Sequence, residues 1–205
     1  PTDFLKMDAQ LMESGLEPAD HSLPLSPESR YLGATISKVP DRVRLANPIV
    51  VDRVVMRRTL LAGLIDTAAA NSRHTDRGAF FEIGNVFLPR WGTPLPEEPR
   101  RLGILMSGPR TPQGWQPADR AAVDFFDVKG VVEELADGLA VPGLAVEPGE
   151  HEALRPGRTA RVLVGGTPVG WIGELHPAVA ARFDLTGAAV IVAELELDPM
   201  LAMAV

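Results

Sequence analysis

Cysteine is absent from the 205 residues. That excludes disulfides and thiolate metal sites and is compatible with a cytoplasmic home. No apolar run reaches the roughly 20 residues that span a bilayer, and no signal peptide is visible. The four histidines, His21, His74, His151 and His176, form no HxxxH or HExxH pair. A metal centre needs three or four converging ligands, and nothing in the spacing supplies them. GxSxG is missing, and Ser107-Gly108 lacks that motif's flanks. The glycines of "VGGTPVGWIG" fit neither GxGxxG nor GxxxxGK[ST], and no helix follows directly to offer its N-terminus to a phosphate. Lysine is scarce, with 3 against 17 arginines; we read this as genomic base composition. There is no internal repeat and no low-complexity tract.

What is present suits a folded protein. Hydrophobic residues make up 45% and charged residues 23%, enough for a sizeable core in one large domain or two small ones. The net charge of -7 and pI of about 5.1 argue against a free-standing nucleic-acid module, which would carry a basic face. RNA contact as part of a larger assembly stays open. The chain begins at Pro1 rather than Met and reads as a piece of something longer.

Along the chain, "DFLKMDAQLMES" (3–14) predicts a helix with Phe4, Met7 and Leu11 on one face. A proline-containing irregular connection follows. "RVRLANPIV" predicts a short strand that breaks at Asn47-Pro48. In "MRRTLLAGLIDTAAANSR", Leu60, Leu61, Leu64, Ile65, Ala68 and Ala69 form a wide helical stripe, with Thr59 as N-cap. "AVDFFDVKGVVEELADGL" turns from strand to helix, with Asp127 as cap and Val128, Val131, Val132 and Leu135 facing one way. Apolar runs around Gly165-Gly166 predict a hairpin. "HPAVAARFDL" predicts a short helix, and "AAVIVAELEL" a final strand. The expected fold is α+β: a mainly antiparallel sheet flanked by helices, with strands near 43–46, 79–88, 101–107, 160–165, 168–174 and 189–196.

Three groups of residues invite a functional reading. Glu82 stands alone in the apolar strand "GAFFEIGNVF", as a catalytic acid, a buried structural acid or the remnant of a lost site. Arg57 and Arg58, just before a helix, can grip phosphate or pair with acids. Asp124, Asp127, Glu133 and Glu134 surround a strand-to-helix turn, where carboxylates serve acid–base chemistry or simply cap and solvate the helix.

Four stretches in order resemble the β subunit of bacterial phenylalanyl-tRNA synthetase: "RLANPIVVDRVVMRRTLLAGLIDTAAANSR", "FFEIGNVF", "VDFFDVKGVVEELADGL" and "LRPGRTARVLVGGTPVGWIGELHP". Order and spacing agree from about residue 43 to 197, while "HSLPLSPESRYLGATISK" departs from the family pattern. The resemblance implies a catalytic-like module with the core fold of a class II synthetase. It implies residues 1–42 as an N-terminal helix and connection and 43–205 as the module. The partners implied are the α subunit, a second αβ pair in an (αβ)2 assembly, and tRNA. ATP and magnesium would serve the whole enzyme, with no cofactor, metal or catalytic residue in this piece. A working class II site holds ATP phosphates with arginines, one of them two residues before the acid of an Arg-x-Glu strand. Here that position is Phe80, and the last strand has neither the glycines nor the arginine of the pattern. The resemblance therefore implies that Glu82 is kept in a site without its arginine, in a structural role. Glu82, Arg57 and Arg58, with Met7 and Leu11 on the N-terminal stripe, are the candidate structural or partner-facing residues. A reading of another class is a stand-alone small-molecule enzyme that uses the carboxylates of 124–134.

Overall fold

The computed structural model describes residues 42–47, 49, 54–90, 95–111, 114–115 and 121–204. The expected helix at 3–14, with Met7 and Leu11, lies outside the described residues. Six strands form one sheet: β1 (Gly78–Asn85), β2 (Arg100–Ser107), β3 (Leu144–Pro148), β4 (Leu154–Val164), β5 (Thr167–Leu175) and β6 (Val190–Glu196). Their spatial order is β1-β2-β6-β5-β4-β3, and every neighbouring pair is antiparallel. Among the described residues four helices accompany them: α1 (Leu61–Asn71), α2 (Phe125–Gly138), α3 (Pro177–Arg182) and α4 (Leu197–Ala202). The fold is α+β, as expected.

The sheet buries both faces. Side chains alternate along a strand, so β6 sends Val190 and Val192 to one side and Ile191, Ala193 and Leu195 to the other. On the first side α1 and α3 close a core with Leu61, Leu64, Ile65 and Val179. On the second, α2 and α4 do so with Val128, Val132, Ala136 and Met200. This explains why β6 reads as a near-continuous apolar run.

The β4–β5 hairpin turns at Gly165-Gly166, whose φ values of 56° and 83° suit a turn that matches strand twist. Two expectations fail. Residues 43–46 do not join the sheet; Arg44 forms an isolated antiparallel bridge with Val55. Leu45 there is exposed, so the segment has too little apolar surface to seat as a sheet strand. β3, which was not anticipated, pairs with β4 at the sheet's edge.

Helix ends also differ from expectation. Asp124, not Asp127, is the N-cap of α2; its side chain accepts from the N–H groups of Phe126 and Asp127, and Asp127 reciprocates on the Asp124 N–H. This is a capping box with aspartate in the returning position. Val131 is exposed rather than inward; the buried positions 128, 132 and 136 follow a four-residue step. Among the described residues no helix is long and apolar enough to cross a membrane.

Candidate functional site

The antiparallel register lines up one row across the sheet on the α1 side. Glu82 faces Gly103, and Gly103 faces Glu194. Two residues along, Gly84 faces Arg101, which faces Glu196. The N-terminal end of α1 sits on the glycine between the two acids. A Cβ on Gly103 would lie 2.7 Å from Leu64 Cδ1 and 3.1 Å from Leu60 Cβ, so a side chain there would lift the helix.

Each acid in this row has a cation. Arg57 forms an ion pair with Glu82 and donates from Nε to the Asn85 carbonyl at 2.9 Å. Gly84 makes room for that guanidinium: a Cβ there would lie 2.1 Å from Arg57 Nη2. Glu194, 4% exposed, is the most enclosed. Its Oε1 accepts from the Leu60 N–H at 2.6 Å and from Thr59 Oγ1 at 2.9 Å. Its Oε2 accepts from Arg101 Nη1 at 3.0 Å. Arg101 reaches Glu196 as well, at 3.1 Å. Thr59 works just ahead of α1, its hydroxyl accepting from the Leu61 N–H at 3.0 Å while donating to Glu194. Leu60, not Thr59, is the N-cap of α1 and offers no side-chain cap; the N–H groups at the helix start are met by Thr59, one residue earlier, and by a carboxylate from the far end of the chain. A negative charge at a helix N-terminus also suits the helix dipole.

Glu82 therefore does have an arginine, drawn from position 57 rather than 80. Phe80 instead packs against the apolar cluster under α1. Arg58 buries its Nε and Nη2, and its carbonyl accepts from Arg101 Nη1 at 3.4 Å. Burial, and then the Arg58 charge, hold the Arg42 guanidinium below the usual arginine range. Arg57 and Arg58 thus belong to the neighbourhood of α1's start, and Arg57 is committed to an acid.

Asp124 and Asp127 come together on Arg110 and in the capping box, not as a free acid–base pair. Arg110 clamps Asp127 at 2.7 Å and Asp124 at 3.3 Å beside the capping box. Burial pushes the Asp127 carboxyl up, but hydrogen bonds from Arg110 and the Asp124 N–H, with the Arg110 charge, leave it below its ordinary value. Glu133 pairs with Lys129 one turn earlier, and Glu134 is exposed.

Sequence reasoning missed Glu194, Arg101 and Glu196. It also missed Glu174 on β5, a buried acid held by Arg155 at 2.8 Å and Arg158 at 2.7 Å. One signal was there: an acid inside the apolar run "VIVAELE" raises the same question as Glu82. The partners were not legible, because Thr59 and Arg101 lie 135 and 93 residues away along the chain.

The sheet and its neutralised polar row define a helix-flanked antiparallel module in which the acids of that row are spent on the chain's own arginines and backbone. The family described as "Phenylalanyl tRNA synthetase beta chain CLM domain" matches residues 24–197. A protein of Symbiobacterium thermophilum named phenylalanine–tRNA ligase beta subunit is 46% identical over 158 residues, covering 77% of this chain and 18% of that protein. Its namesake in Hahella chejuensis is 44% identical over 150 residues, covering 72% and 18%. That of Burkholderia lata is 41% identical over 170 residues, covering 79% and 20%. The chain belongs to the phenylalanyl-tRNA synthetase β-chain CLM domain family, and it spans about a fifth of the length of these relatives.

Proposed function

We propose that this chain is a non-catalytic module of a phenylalanine–tRNA ligase β subunit, built like a class II synthetase core and serving (αβ)2 assembly. The enzyme it would serve joins phenylalanine to its tRNA with ATP and magnesium in the cytoplasm, and its partners would be the α subunit, a second αβ pair and tRNA. The observation that carries the non-catalytic reading is the paired row. Adenylation needs cations aimed at the phosphates of ATP. Arg57 and Arg101 are engaged by Glu82, Glu194 and Glu196, and Phe80 stands where an arginine would be needed. Glu82 and Arg57 then have a structural role, fixing the start of α1 on β1, with Arg58 beside them. The stand-alone enzyme reading is not favoured, because Asp124 and Asp127 are occupied as caps and by Arg110.

In this reading residues 1–42 form an N-terminal helix and connection ahead of the module at 43–205, and Met7 and Leu11 face a partner. Two experiments test it. ATP–pyrophosphate exchange by the purified chain stays at the no-enzyme background; turnover above it would overturn the non-catalytic reading. Met7→Asp with Leu11→Asp leaves the chain folded but abolishes co-purification with the α subunit. Unfolding of the double variant would mean that the stripe is core, and normal assembly would place the interface elsewhere.

A further inference from the structure

On the same face of the sheet, but at the other end of β1, a second polar region differs from the closed row: its charged side chains make no ion pair among the described residues, and Asp76 and Asp184 are exposed to solvent. A cavity of about 310 Å³ opens between the C-terminal end of α1, the start of β1, the end of β2 and the loop after α3. Asp76, Arg77 and Asp184 line it, with the hydroxyl residues Ser72, Ser107 and Thr186. Arg77 Nε is buried and has no hydrogen-bond partner. Among the described residues, no ion pair or side-chain hydrogen bond engages the charged groups of Asp76, Arg77 or Asp184. That nitrogen is closed to the cavity too, so a ligand would meet the guanidinium through its outer nitrogens.

The backbone builds this cavity deliberately. Gly108, at φ 80°, lets the turn before β1 close on the end of β2; a Cβ there would lie 1.8 Å from the Asp76 carbonyl oxygen. Asp184, at φ 59°, is the left-handed residue that ends α3. Its N–H donates to the Ala181 carbonyl and the Leu185 N–H to that of Ala180, the two bonds of a Schellman motif. Glycine or asparagine is favoured at such a position, so aspartate sits there at some cost in strain.

The charges select the ligand. Two carboxylates against one guanidinium leave the lining with a net charge of minus one. A plain anion would satisfy Arg77 and face both acids. A plain cation would satisfy the acids and leave the Arg77 guanidinium without a counter-charge. A molecule with an oxyanion at one end and an ammonium at the other answers both, and the volume lies at the small-ligand end of the range for binding pockets. We propose that this cavity binds a small zwitterion, its oxyanion on Arg77 and its ammonium between Asp76 and Asp184.

The test uses the whole 205-residue chain and 3-aminopropanoate as probe, with propanoate and propylamine as its two halves, read by saturation-transfer NMR. A ligand of about six heavy atoms should saturate with a Kd of about 1 mM. Propanoate and propylamine should each bind about tenfold more weakly, or worse, since each forfeits a charge-assisted contact. Arg77→Gln and Asp184→Asn should each weaken 3-aminopropanoate by about tenfold or more. Neither side chain has a partner to lose, and asparagine tolerates the left-handed backbone, so the melting temperature of Asp184→Asn should hold or rise. No saturation below about 20 mM, equal binding of either half-ligand, or undiminished binding in both variants would overturn the proposal.

Discussion

Glu194 is the residue on which the seating of α1 depends, and its removal gives the sharpest test of that account. Glu194→Ala deletes three hydrogen bonds at once: from the Leu60 N–H, Thr59 Oγ1 and Arg101 Nη1. Breaking a buried ion pair from one side costs roughly 3–5 kcal/mol, because the surviving charge stays buried. Arg101 keeps Glu196, which moderates that cost, while the stranded Leu60 N–H adds roughly 1–3 kcal/mol. A net loss of about 4 kcal/mol is a large part of the roughly 5–15 kcal/mol that holds a domain folded. Glu194→Gln keeps the shape and loses the charge; one oxygen is replaced by a donor facing a donor, and the cost should fall to about 1–3 kcal/mol.

The assay is urea unfolding of the chain followed by circular dichroism, with the slope checked for constancy so that midpoints report stability. Amide exchange adds position. In Glu194→Ala the amides of Leu60, Leu61 and Leu64 should lose protection before those of β4 and β5, since α1 is what the carboxylate ties down. The order wild type, Gln, Ala is expected. A cost below about 1 kcal/mol for Glu194→Ala, or uniform loss of protection across the sheet, would refute the idea that this acid anchors the helix.

Four further outcomes follow from the structure. Gly84→Ala pushes on the far end of the flexible Arg57 side chain, so the clash itself relaxes, but the Glu82 ion pair and the Asn85 hydrogen bond are lost; about 1 kcal/mol in urea unfolding is expected, and none of it in an Arg57→Ala background. Gly170→Ala is harsher, because its Cβ would lie 2.2 Å from the Glu194 backbone oxygen, which cannot swing away; a cost of about 3 kcal/mol or failure to fold is expected, and a neutral result would contradict the β5–β6 register. Asp124→Ala should cost about 1 kcal/mol through the lost cap. The Asp127 carboxyl titrates below its ordinary range, so its contribution is present above the unfolded carboxyl's pKa and is lost as pH falls through the lowered folded value. Acid unfolding of Asp127→Asn should accordingly be shallower than that of the wild type, and an identical pH profile would remove Asp127 from the account.

Some of this was legible in the sequence, for local reasons. The α1 stripe and the Gly165-Gly166 turn are written within a few residues of themselves, and both appear where expected. β3 was missed because "LAVEP" is too short to show alternation and earns its place by pairing with β4. The segment at 43–46 erred the other way: it has strand-like letters but finds a bridge to Val55 rather than a place in the sheet. The site divides on the same line. That Glu82 needed explaining was visible; that Arg57 explains it was not, since the pair is set by how α1 lies on β1.

Glycines decide which donors these acids meet. A row of Glu82, Gly103 and Glu194 under a helix could be read as an open acidic shelf. It is closed instead, because the missing side chain at Gly103 lets Leu60 and Leu64 descend to the sheet. That descent carries the Leu60 N–H and Thr59 hydroxyl onto Glu194, while the missing side chain at Gly84 admits Arg57 to Glu82. Two absent side chains therefore decide that the acids meet the protein's own donors rather than a ligand's. An arginine introduced at Phe80 would not by itself open such a site to a ligand. The new cation would stand on the same face of β1 as Glu82, beneath a helix already tied down at both acids.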